Sequence, residues 1–408
     1  MENVVAHSEP IPTLFTEQEM GGVTLEDVIE AYFDCRRHKR YTANALQFEM
    51  NWEHNCIELM NELNAHRYKP RRSIVFVVEK PVKREIFAAD FRDRVVHHLI
   101  SRRIYPLLEQ QFILDSYSTQ KGKGTLMGIK RIEEHIRQCS ENYTKDCWIL
   151  KMDIEGFFMA IDKNVLYDKI KTFLEARYHE NDLQMLLYML RETIFNQPEK
   201  NCYRKMPKSR WEGLPKRKSL FGTDGMHGLP IGNLTSQLLA LLYLDGLDHK
   251  VTEEWGIEHY GRYVDDMILI HPSKERLMEV RGLIDEYLCG LGLNLHPKKL
   301  YLQHYSKGVA FVGAVIKPGR KYVSNRTVAR LNRKIRMYGC ELAKGVVNEK
   351  RMLTITCSMN SYLGNFKHYS ALRLFHRVRI WMDNTWFNHF YLYRQRRGIK
   401  LVRNRIDN

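Results

Sequence analysis

The segment "GRYVDDMILIH" (residues 261–271) places two adjacent carboxylates, Asp265 and Asp266, between two apolar runs. Successive side chains of a straight β-strand point to opposite faces, so the pair could not share a site on a regular strand. A tight hairpin turn at residues 264–266 removes this conflict, and the flanking runs have the composition of strands. Carboxylates this close repel each other unless a cation neutralises them, and Mg²⁺ prefers oxygen ligands. The segment therefore predicts a β-hairpin whose turn can carry a metal site.

An Asp-Asp pair is equally typical of an exposed turn, so a metal site needs a third carboxylate from elsewhere in the chain. The segment "KMDIEGFF" (151–158) supplies Asp153 at the end of an apolar strand candidate, 112 residues before Asp265. A lone Asp at a strand end is usually a solvated turn residue, and only the combination is informative. Two metal ions about 3.5–4 Å apart on such carboxylates would stabilise the attacking and leaving oxygens of a phosphoryl transfer.

The net charge of +16 lies in the last fifth of the chain. Residues 320–408 contain 20 Lys and Arg against four acidic residues, and the rest of the chain contains 44 of each sign. A basic block interleaved with Trp, Tyr and Phe is typical of a protein that binds a phosphate backbone. A merely solvated basic face is the alternative. Together with the carboxylates, this distribution predicts nucleotidyl transfer on a nucleic acid.

Composition and length limit the class of protein. A chain of 408 residues with 44% apolar residues predicts a globular protein of two or three domains. The longest apolar run, "LLALLYL" (238–244), is too short to span a membrane, and the N-terminus lacks a secretory signal. The eight cysteines are scattered without a C-x-x-C pair, which favours reduced thiols and no zinc site. We therefore expect a cytoplasmic protein with no membrane partner.

Apolar periodicity predicts an α+β protein in which helices come first, mixed strands and helices follow, and helices end the chain. Strands are predicted over 73–80, from 147 to the turn at Gly156, on both sides of the Asp-Asp turn, and over 309–317. Helices are predicted over 25–38, 43–66, 84–112, 160–195, 232–251, 273–291 and most of 325–408, with a loop or an irregular hairpin over 196–227. The predicted domains are an N-terminal helical extension (1–72), a mixed domain (73–319) and a basic helical domain (320–408).

Seven segments resemble, in order, the sequence blocks of reverse transcriptases, in particular the group II intron-like bacterial enzymes. They are "EKPVKREIFAADFRDRVVHHLI" (79–100), "SYSTQKGKGTLMGIKRI" (116–132), "WILKMDIEGFFMAIDKNVL" (148–166), "GLPIGNLTSQLLALLYL" (228–244), "GRYVDD" (261–266), "LGLNLHPKKLYL" (291–302) and "GVAFVGAVI" (308–316). The resemblance implies a right-hand polymerase fold, with fingers and palm over 73–319 built from an antiparallel sheet plus helices. Residues 320–408 would form a helical thumb. It also implies a cytoplasmic RNA-directed DNA polymerase that is encoded by a bacterium or a phage.

The resemblance assigns the metal site to residues of two blocks. Asp153 and Asp265 would ligate both of two Mg²⁺ ions, for which Mn²⁺ can substitute, and Asp266 would complete the site. The backbone carbonyl of Ile154 would be a further ligand.

The resemblance also assigns contacts to the incoming deoxynucleotide. Phe158 matches the aromatic steric gate that would exclude a ribonucleotide through its 2′-OH, whereas Phe157 is the better core residue. Ile231 and Gly232 would lie beside the nascent base pair. Lys80 and Arg84 match the fingers residues that hold the triphosphate, and Lys298 or its neighbour Lys299 would neutralise the leaving pyrophosphate. For each of these four cations, a solvated surface role is the alternative.

The remaining assignments concern the template RNA and the cDNA or DNA primer. Tyr263 and Gln237 are candidate nucleic-acid contacts in the palm. Three cations of the basic C-terminal domain are candidate contacts to the duplex backbone: Arg333, Lys334 and Arg336.

One block indicates a particular group of reverse transcriptases. Ile231-Gly232 and Ser236-Gln237 replace the usual Gln-Gly and Ser-Pro, and with "WEGLPKRKSLF" (211–221) they resemble the enzymes of diversity-generating retroelements. Such enzymes copy a template-repeat RNA into cDNA that is mutated mainly opposite adenines and replaces a variable repeat in a target gene (mutagenic retrohoming). A small basic accessory protein is the usual partner.

Ile231 offers only apolar contact where a Gln amide would sense poor base-pair geometry, so we hypothesise that it lowers fidelity. A packing variant without effect on fidelity is the alternative. Two other functions stay open: a reverse transcriptase of phage defence or abortive infection, and a catalytically silent RNA-binding scaffold. The intact set of Asp153, Asp265 and Asp266 argues against the scaffold.

Overall fold

The structure is a computed structural model that describes residues 21–37, 41–80, 82–345 and 347–404. Parts of the predicted N-terminal extension, namely residues 1–20 and 38–40, therefore lie outside the described residues. The chain divides into two compact units. The first unit comprises the described residues of Met1–Ile113, Ile154–His249 and Ile284–Leu295, and the second comprises those of Leu114–Asp153, Lys250–Leu283 and His296–Asn408.

The described α-helices are α1 (Leu25–Arg36), α2 (Ala43–Glu49), α3 (Trp52–Asn64), α4 (Phe91–Gln111), α5 (Thr125–Cys139), α6 (Phe157–Ala160), α7 (Lys163–Arg177), α8 (Leu183–Ile194), α9 (Leu234–Tyr243), α10 (Asp245–His249), α11 (Lys274–Gly290), α12 (Asn325–Ala343), α13 (Glu349–Phe366), α14 (Leu372–Trp381) and α15 (Asn384–Phe387). The strands are β1 (Ser73–Val78), β2 (Arg84–Ala88), β3 (Trp148–Asp153), β4 (Cys202–Arg204), β5 (His259–Tyr263), β6 (Asp266–His271), β7 (Tyr301–His304), β8 (Val309–Phe311), β9 (Ala314–Lys317), β10 (Arg320–Val323), β11 (Phe390–Gln395) and β12 (Gly398–Arg403). The predicted α+β class is confirmed.

The first unit combines helices with a three-stranded sheet in the order β2-β1-β4. Strand β1 pairs antiparallel with β2 and parallel with β4. Helix α1 begins with a capping box, in which the Thr24 side chain accepts from the Asp27 N–H and the Asp27 side chain accepts from the Thr24 N–H. Residues 84–88 were predicted as the start of a helix and instead form β2, because the alternating buried residues of "REIFA" suit a half-buried strand.

The second unit contains a four-stranded antiparallel sheet in the order β5-β6-β3-β7, which we call the central sheet. Two of its strands are largely buried. Four consecutive residues of β6 are buried, and three of the six residues of β3 are buried. Ile149, Ile268 and Ile270 of the sheet pack with Ile129 and Ile132 of α5 in one buried cluster. Burial of these branched side chains stabilises the sheet that carries the three aspartates.

The end of the second unit is helical, as predicted, but it also contains strands. In α12, Leu331, Ile335, Tyr338 and Leu342 recur at helical spacing and join a buried cluster with α13. Residues 309–317 form two short strands rather than one, because the chain turns at Val312 and Gly313, both with positive φ. Strands β11 and β12 form an antiparallel hairpin that the helical prediction missed.

Other predicted helices are interrupted. The segment 43–66 breaks at Met50 and Asn51, since Asn51 has the non-helical backbone of an N-cap residue. The segment 160–195 is divided into α7 and α8 in the same way, after Tyr178 leaves the helical region. In the part of the chain that the structure describes, no helix is both long and apolar enough to cross a membrane.

Candidate active site

The Asp-Asp segment forms the predicted tight hairpin. Tyr263 at the end of β5 pairs with Asp266 at the start of β6, so Val264 and Asp265 are the two residues of the turn. The turn thus ends one residue earlier than predicted, with Asp266 already in the ladder. Val264 has φ of 59°, a left-handed conformation that is uncommon for a β-branched residue. Positive φ at the first turn residue suits the right-handed twist of a two-residue hairpin, but at Val264 it stores strain that the surroundings must offset.

A buried arginine contacts this turn directly. The side chain of Arg262 is completely buried, and its Nη1 donates to the carbonyl oxygen of Val264 at 2.8 Å. The backbone of Arg262 is also held on its other side, because its N–H donates to the carbonyl of Asp115 and its carbonyl accepts from the N–H of Tyr117, both at 2.9 Å. The turn is therefore fixed from strand β5 and from the segment at residues 115–117.

The segment at residues 115–117 is itself anchored by a half-buried ionic network. Asp115 accepts from Arg131 Nε at 2.7 Å and Nη2 at 2.8 Å, and from the Tyr117 hydroxyl at 3.0 Å. His135 Nε2 lies 3.1 Å from the same carboxylate. Burial acts to raise the pKa of Asp115, but the hydrogen bonds from Arg131 and His135 hold that pKa well below its usual range. The carboxylate is thus ionised and paired at neutral pH.

The register of the central sheet brings Asp153 to the Asp-Asp turn. Asp153, the last residue of β3, lies directly opposite Asp266, the first residue of β6. Directly opposed residues of an antiparallel pair have Cβ atoms about 4.5–5.5 Å apart on one face. Asp265 precedes Asp266 in the turn, so all three predicted carboxylates lie at the same end of one sheet.

Two lysines contact these carboxylates. Lys151 Nζ lies 3.0 Å from Asp266 Oδ2, and Lys299 Nζ lies 2.8 Å from Asp153 Oδ1. Asp266 Oδ1 is buried and has no hydrogen-bond partner among the described groups. Burial raises the pKa of Asp266 to about 6, aided by the nearby Asp265 and Asp153, although Lys151 acts to lower it. The site is an acidic cluster with one unsatisfied oxygen, which is the environment that a bound cation would relieve.

The acidic cluster is paired with two ammonium groups and is not a preformed metal centre. Within the described residues, no group of three or more His, Cys, Asp or Glu side chains has the arrangement of a metal site. Lys151 also donates to the carbonyl oxygen of Ala310 at 2.7 Å, which holds it on the sheet. A divalent ion would therefore compete with Lys151 and Lys299 for the same oxygens.

Sequence reasoning missed Lys151 and Arg262 and left Lys298 and Lys299 as alternatives. Lys151 stands two residues before Asp153 on one strand, so it shares a face with Asp153, and this spacing was the available signal. Both lysine side chains are exposed, but of the two it is Lys299 that contacts Asp153. Nothing in the local sequence distinguishes a buried Arg262 from a solvated one.

Five of the candidate contacts to the incoming nucleotide lie in the first unit: Lys80, Arg84, Phe158, Ile231 and Gly232. Phe158 and Ile231 pack against one buried cluster formed by Val75, Phe87, Met159 and Leu220. The Phe87 N–H donates to the Ile231 carbonyl at 2.9 Å, and the Leu229 N–H donates to the Phe158 carbonyl at 2.8 Å. Phe157 is buried, as predicted, and Phe158 is only half-buried.

Gly232 is required by this packing. Its φ is +125°, and a Cβ atom there would lie 2.9 Å from both the Phe87 carbonyl oxygen and Ile86 Cγ2. Strand β2, which contains these two residues, begins at Arg84. Arg84 and Lys80 are both exposed on the β1–β2 hairpin, while Pro81 between them lies outside the described residues.

The other predicted residues are dispersed over both units. In the first unit, Ile154 is buried and forms a bridge with Leu295, and Gln237 is exposed on α9. In the second unit, Tyr263 packs beside the central-sheet cluster.

The three predicted thumb contacts on α12 differ from one another. Arg333 and Arg336 are exposed. Lys334 is half-buried, donates to Ser358 Oγ at 2.6 Å and lies 5.5 Å from the ring centroid of Tyr362. The geometry therefore favours the two arginines over Lys334 as contacts to a phosphate backbone.

Comparison with known proteins identifies one family. Residues 80–316, more than half of the chain, match the family model described as reverse transcriptase (RNA-dependent DNA polymerase). A search of curated proteins found no match.

Solved structures of two telomerases are similar to the chain. Apo telomerase from Candida tropicalis, truncated from the C-terminal domain, is 13% identical, with a TM-score of 0.44 over 65% of this chain. Telomerase from Candida albicans, in complex with the TWJ fragment of telomeric RNA, is 11% identical, with a TM-score of 0.44 over 79% of this chain. The chain spans 59% and 58% of the lengths of these two proteins.

Proposed function

The chain belongs to the reverse transcriptase family, and on that premise we propose that it is an RNA-directed DNA polymerase. It would extend a cDNA or DNA primer on an RNA template by two-metal nucleotidyl transfer. The observation that supports this proposal most directly is the register that sets Asp153 opposite Asp266, with Asp265 in the adjoining turn. Residues 73–319 would serve as fingers and palm, and the basic residues 320–408 as thumb.

The acidic cluster suits Mg²⁺, with Mn²⁺ as a substitute. Its donors are carboxylate oxygens, and the buried, unpartnered Oδ1 of Asp266 is an orphaned acceptor. Bound ions would stabilise the charge that develops on the attacking and leaving oxygens. In this proposal Asp153 and Asp265 hold the ions, and Asp266 completes the acidic environment.

The lysines of the site would act on the phosphates. Lys299 and Lys151 each contact one of the carboxylates, and their flexible side chains can move by rotation about single bonds. With metal ions on the carboxylates, the ammonium groups would be available to neutralise charge on the leaving pyrophosphate. The geometry favours Lys299 for this role because half of its side chain is exposed.

The contacts in the first unit would select a deoxynucleotide. The half-buried Phe158 would act as the steric gate, with Ile231 and Gly232 beside the new base pair and Lys80 and Arg84 on the triphosphate. Primer extension by the full chain on an RNA template, with each of the four deoxynucleotides supplied in turn, tests the polymerase activity. The absence of template-dependent addition by a correctly folded protein would refute it.

We further propose that the product is error-prone cDNA for targeted gene diversification, made with a small basic accessory protein. The Ile231-Gly232 and Ser236-Gln237 replacements support this assignment. Sequencing of cDNA made by the wild type, Ile231→Gln and the apolar control Ile231→Val tests the contribution of Ile231. We expect Ile231→Gln, but not Ile231→Val, to reduce misincorporation at template adenines. An unchanged misincorporation spectrum in Ile231→Gln would contradict a role for Ile231. Near-identical repeats beside the gene, differing at adenines, would separate this function from phage defence.

A further inference from the structure

A strongly basic loop in the first unit has no role in the function proposed above. The basic loop, residues 202–223, contains seven Lys or Arg residues and one Glu, and it includes the "WEGLPKRKSLF" segment. It begins at β4 and continues through three short 3₁₀ turns, Lys208–Trp211, Lys216–Lys218 and Leu220–Gly222. Like charges this close repel one another. Two of the cations have a carboxylate partner, since Arg210 lies 3.7 Å from Glu79 and Arg217 lies 2.6 Å from Glu155.

The basic loop is nevertheless firmly attached to the β2-β1-β4 sheet. Glu85 of β2 is buried and accepts three hydrogen bonds from the loop: from Trp211 Nε1 at 2.6 Å, Ser219 Oγ at 2.9 Å and the Leu220 N–H at 2.8 Å. The Lys205 N–H extends the pairing of β4 by donating to the Val75 carbonyl at 3.0 Å. The loop therefore presents its cations from a structure that is held in place by specific contacts.

These contacts enclose a cavity of about 620 Å³. Its lining includes Arg204, Lys208 and Lys216, together with the aromatic rings of Trp211 and Phe221. The Arg204 guanidinium lies 4.4 Å from the centroid of the Phe221 ring, which is a cation–π contact. Among the described residues, neither Lys208 nor Lys216 has an ion pair with a carboxylate. Positive charge and flat aromatic surface thus line the same concave site.

We propose that this cavity binds a single-stranded segment of a polynucleotide. Lysines and an arginine along a groove neutralise successive phosphates, and aromatic rings in the groove stack with unpaired bases, which is how single strands are bound without sequence preference. A duplex would offer phosphates but no free base faces, so it would leave the rings without partners. This inference rests on the proposed function, since it names a further contact of the same nucleic-acid substrate.

The cavity adjoins the candidate nucleotide contacts of the first unit. Trp211 and Phe221 pack against the same buried cluster as Phe158 and Ile231. The guanidinium of Arg217 in the loop lies 2.6 Å from the Glu155 carboxylate. The carbonyl oxygen of Arg217 is also close to Gly156, since it would lie 3.0 Å from a Cβ atom built there. A polynucleotide bound in the cavity would therefore lie beside Phe158 and Ile231, the candidate contacts to the incoming nucleotide.

Equilibrium binding to the full chain tests the proposal. The probes are a fluorescently labelled short oligouridylate, the matching oligothymidylate and a blunt RNA–DNA duplex, each titrated at several salt concentrations. The test variant is Lys208→Ala/Lys216→Ala. The control variant, Lys171→Ala/Arg177→Ala, removes the same charge from the exposed face of α7, away from the cavity.

We expect the test variant to bind the single strands about tenfold or more weakly, and the slope of log K against log salt to fall by about 1.4, since each phosphate contact contributes about 0.7 on a single strand. Duplex binding and the control variant should match the wild type. Phe221→Leu, which keeps an apolar side chain in the cluster, should weaken single-strand binding about fivefold or more without changing the salt slope. Tighter binding of the oligouridylate than of the oligothymidylate would assign the site to RNA, and equal binding would assign it to single strands of either sugar.

Equal losses for single strand and duplex would overturn the inference, because they would indicate a general electrostatic effect. Wild-type binding of the single strands by the test variant would overturn it as well. Failure of the proposed polymerase activity is separable, since it would show as absent primer extension by the wild type whatever the binding result.

Discussion

Arg262 Nη1 donates a 2.8 Å hydrogen bond to the carbonyl oxygen of Val264, the residue that precedes Asp265 and Asp266. The donor is completely buried, and the acceptor belongs to a turn residue with φ of 59°. A buried guanidinium is costly to desolvate and is retained where it has defined partners. We therefore regard Arg262 as a positioning residue that holds the strained turn, and with it the two carboxylates.

Replacing Arg262 by Lys should lower kcat for nucleotide addition by about tenfold or more, because small displacements of reacting groups are costly to catalysis. The ammonium group keeps the charge but cannot reproduce the planar geometry of the guanidinium. The KM for deoxynucleotide should change little, since the candidate contacts to its sugar, base and triphosphate lie in the first unit. Steady-state kinetics well below the melting temperature measure both constants.

A matched control is Arg276→Lys, because Arg276 Nη2 also donates to a backbone carbonyl, that of Trp255, at 2.7 Å. This control should leave kcat unchanged. Equal kinetic losses in the two variants would show that Arg262 has only a general structural role.

Gly232→Ala should destabilise the first unit and raise the KM for deoxynucleotide. The new methyl group would lie 2.9 Å from the Phe87 carbonyl oxygen, at a φ that side chains rarely adopt. Gly282→Ala is the control, because no atom lies within 4 Å of a Cβ built at this helical glycine. It should raise the free energy of unfolding by about 0.5–1 kcal/mol. Thermal melts and KM measurements compare the two, and tolerance of Ala at both positions would contradict the packing described for Gly232.

Phe158→Ala should allow ribonucleotides to be incorporated, with a loss of sugar discrimination of about tenfold or more if the ring excludes the 2′-OH. Phe157→Ala serves as the comparison, because Phe157 is buried and its loss should cost about 3–5 kcal/mol of stability. The ratio of kcat/KM for deoxy- and ribonucleotides reports the discrimination. An unchanged ratio in Phe158→Ala would assign the steric gate elsewhere.

Asp115 should make stability depend on pH at the acid end. Its pKa in the folded protein is held below the usual range by Arg131 and His135, which outweigh the effect of burial. The unfolded chain therefore binds this proton at a higher pH than the folded protein does. The contribution of the Asp115 carboxylate to the free energy of unfolding is then complete above the unfolded pKa of about 3.9. The stability difference between wild type and Asp115→Asn should be largest near neutral pH and shrink below about pH 4. Chemical denaturation at several pH values measures it, and a constant difference would contradict the assignment.

Local patterns in the sequence predicted the strands and the turn that carry the three aspartates, but not how β3 pairs with the hairpin. The alternating and apolar runs around Asp153 and Asp265 predicted β3, the hairpin and its turn, because these are decided by neighbouring residues. The pairing of Asp153 with Asp266 depends on a register between segments more than a hundred residues apart, which local patterns do not specify. Nor could they separate Lys299 from Lys298.

Two misassigned segments show why tertiary context is decisive. Residues 84–88 lie next to a strong helix pattern and were assigned to it, yet pairing with β1 makes them a strand. The hairpin of β11 and β12 lies in an arginine-rich segment for which a helix was predicted, yet Phe390 and Leu401 are buried in the cluster with α12 and α13. A two-residue turn at Arg396 and Arg397 between apolar runs was the signal available.

The most direct test of the account is primer extension on an RNA template with Mg²⁺, comparing the wild type with Asp265→Asn. The substitution is nearly isosteric and removes one negative charge from the turn. We predict template-dependent deoxynucleotide addition by the wild type and a loss of about a hundredfold or more in Asp265→Asn, since electrostatic stabilisation at a metal site contributes several kcal/mol to the barrier. Both proteins should fold, as judged by their melting curves. Equal extension by the two proteins would contradict the assignment of Asp265, and with it the acidic cluster as the catalytic centre.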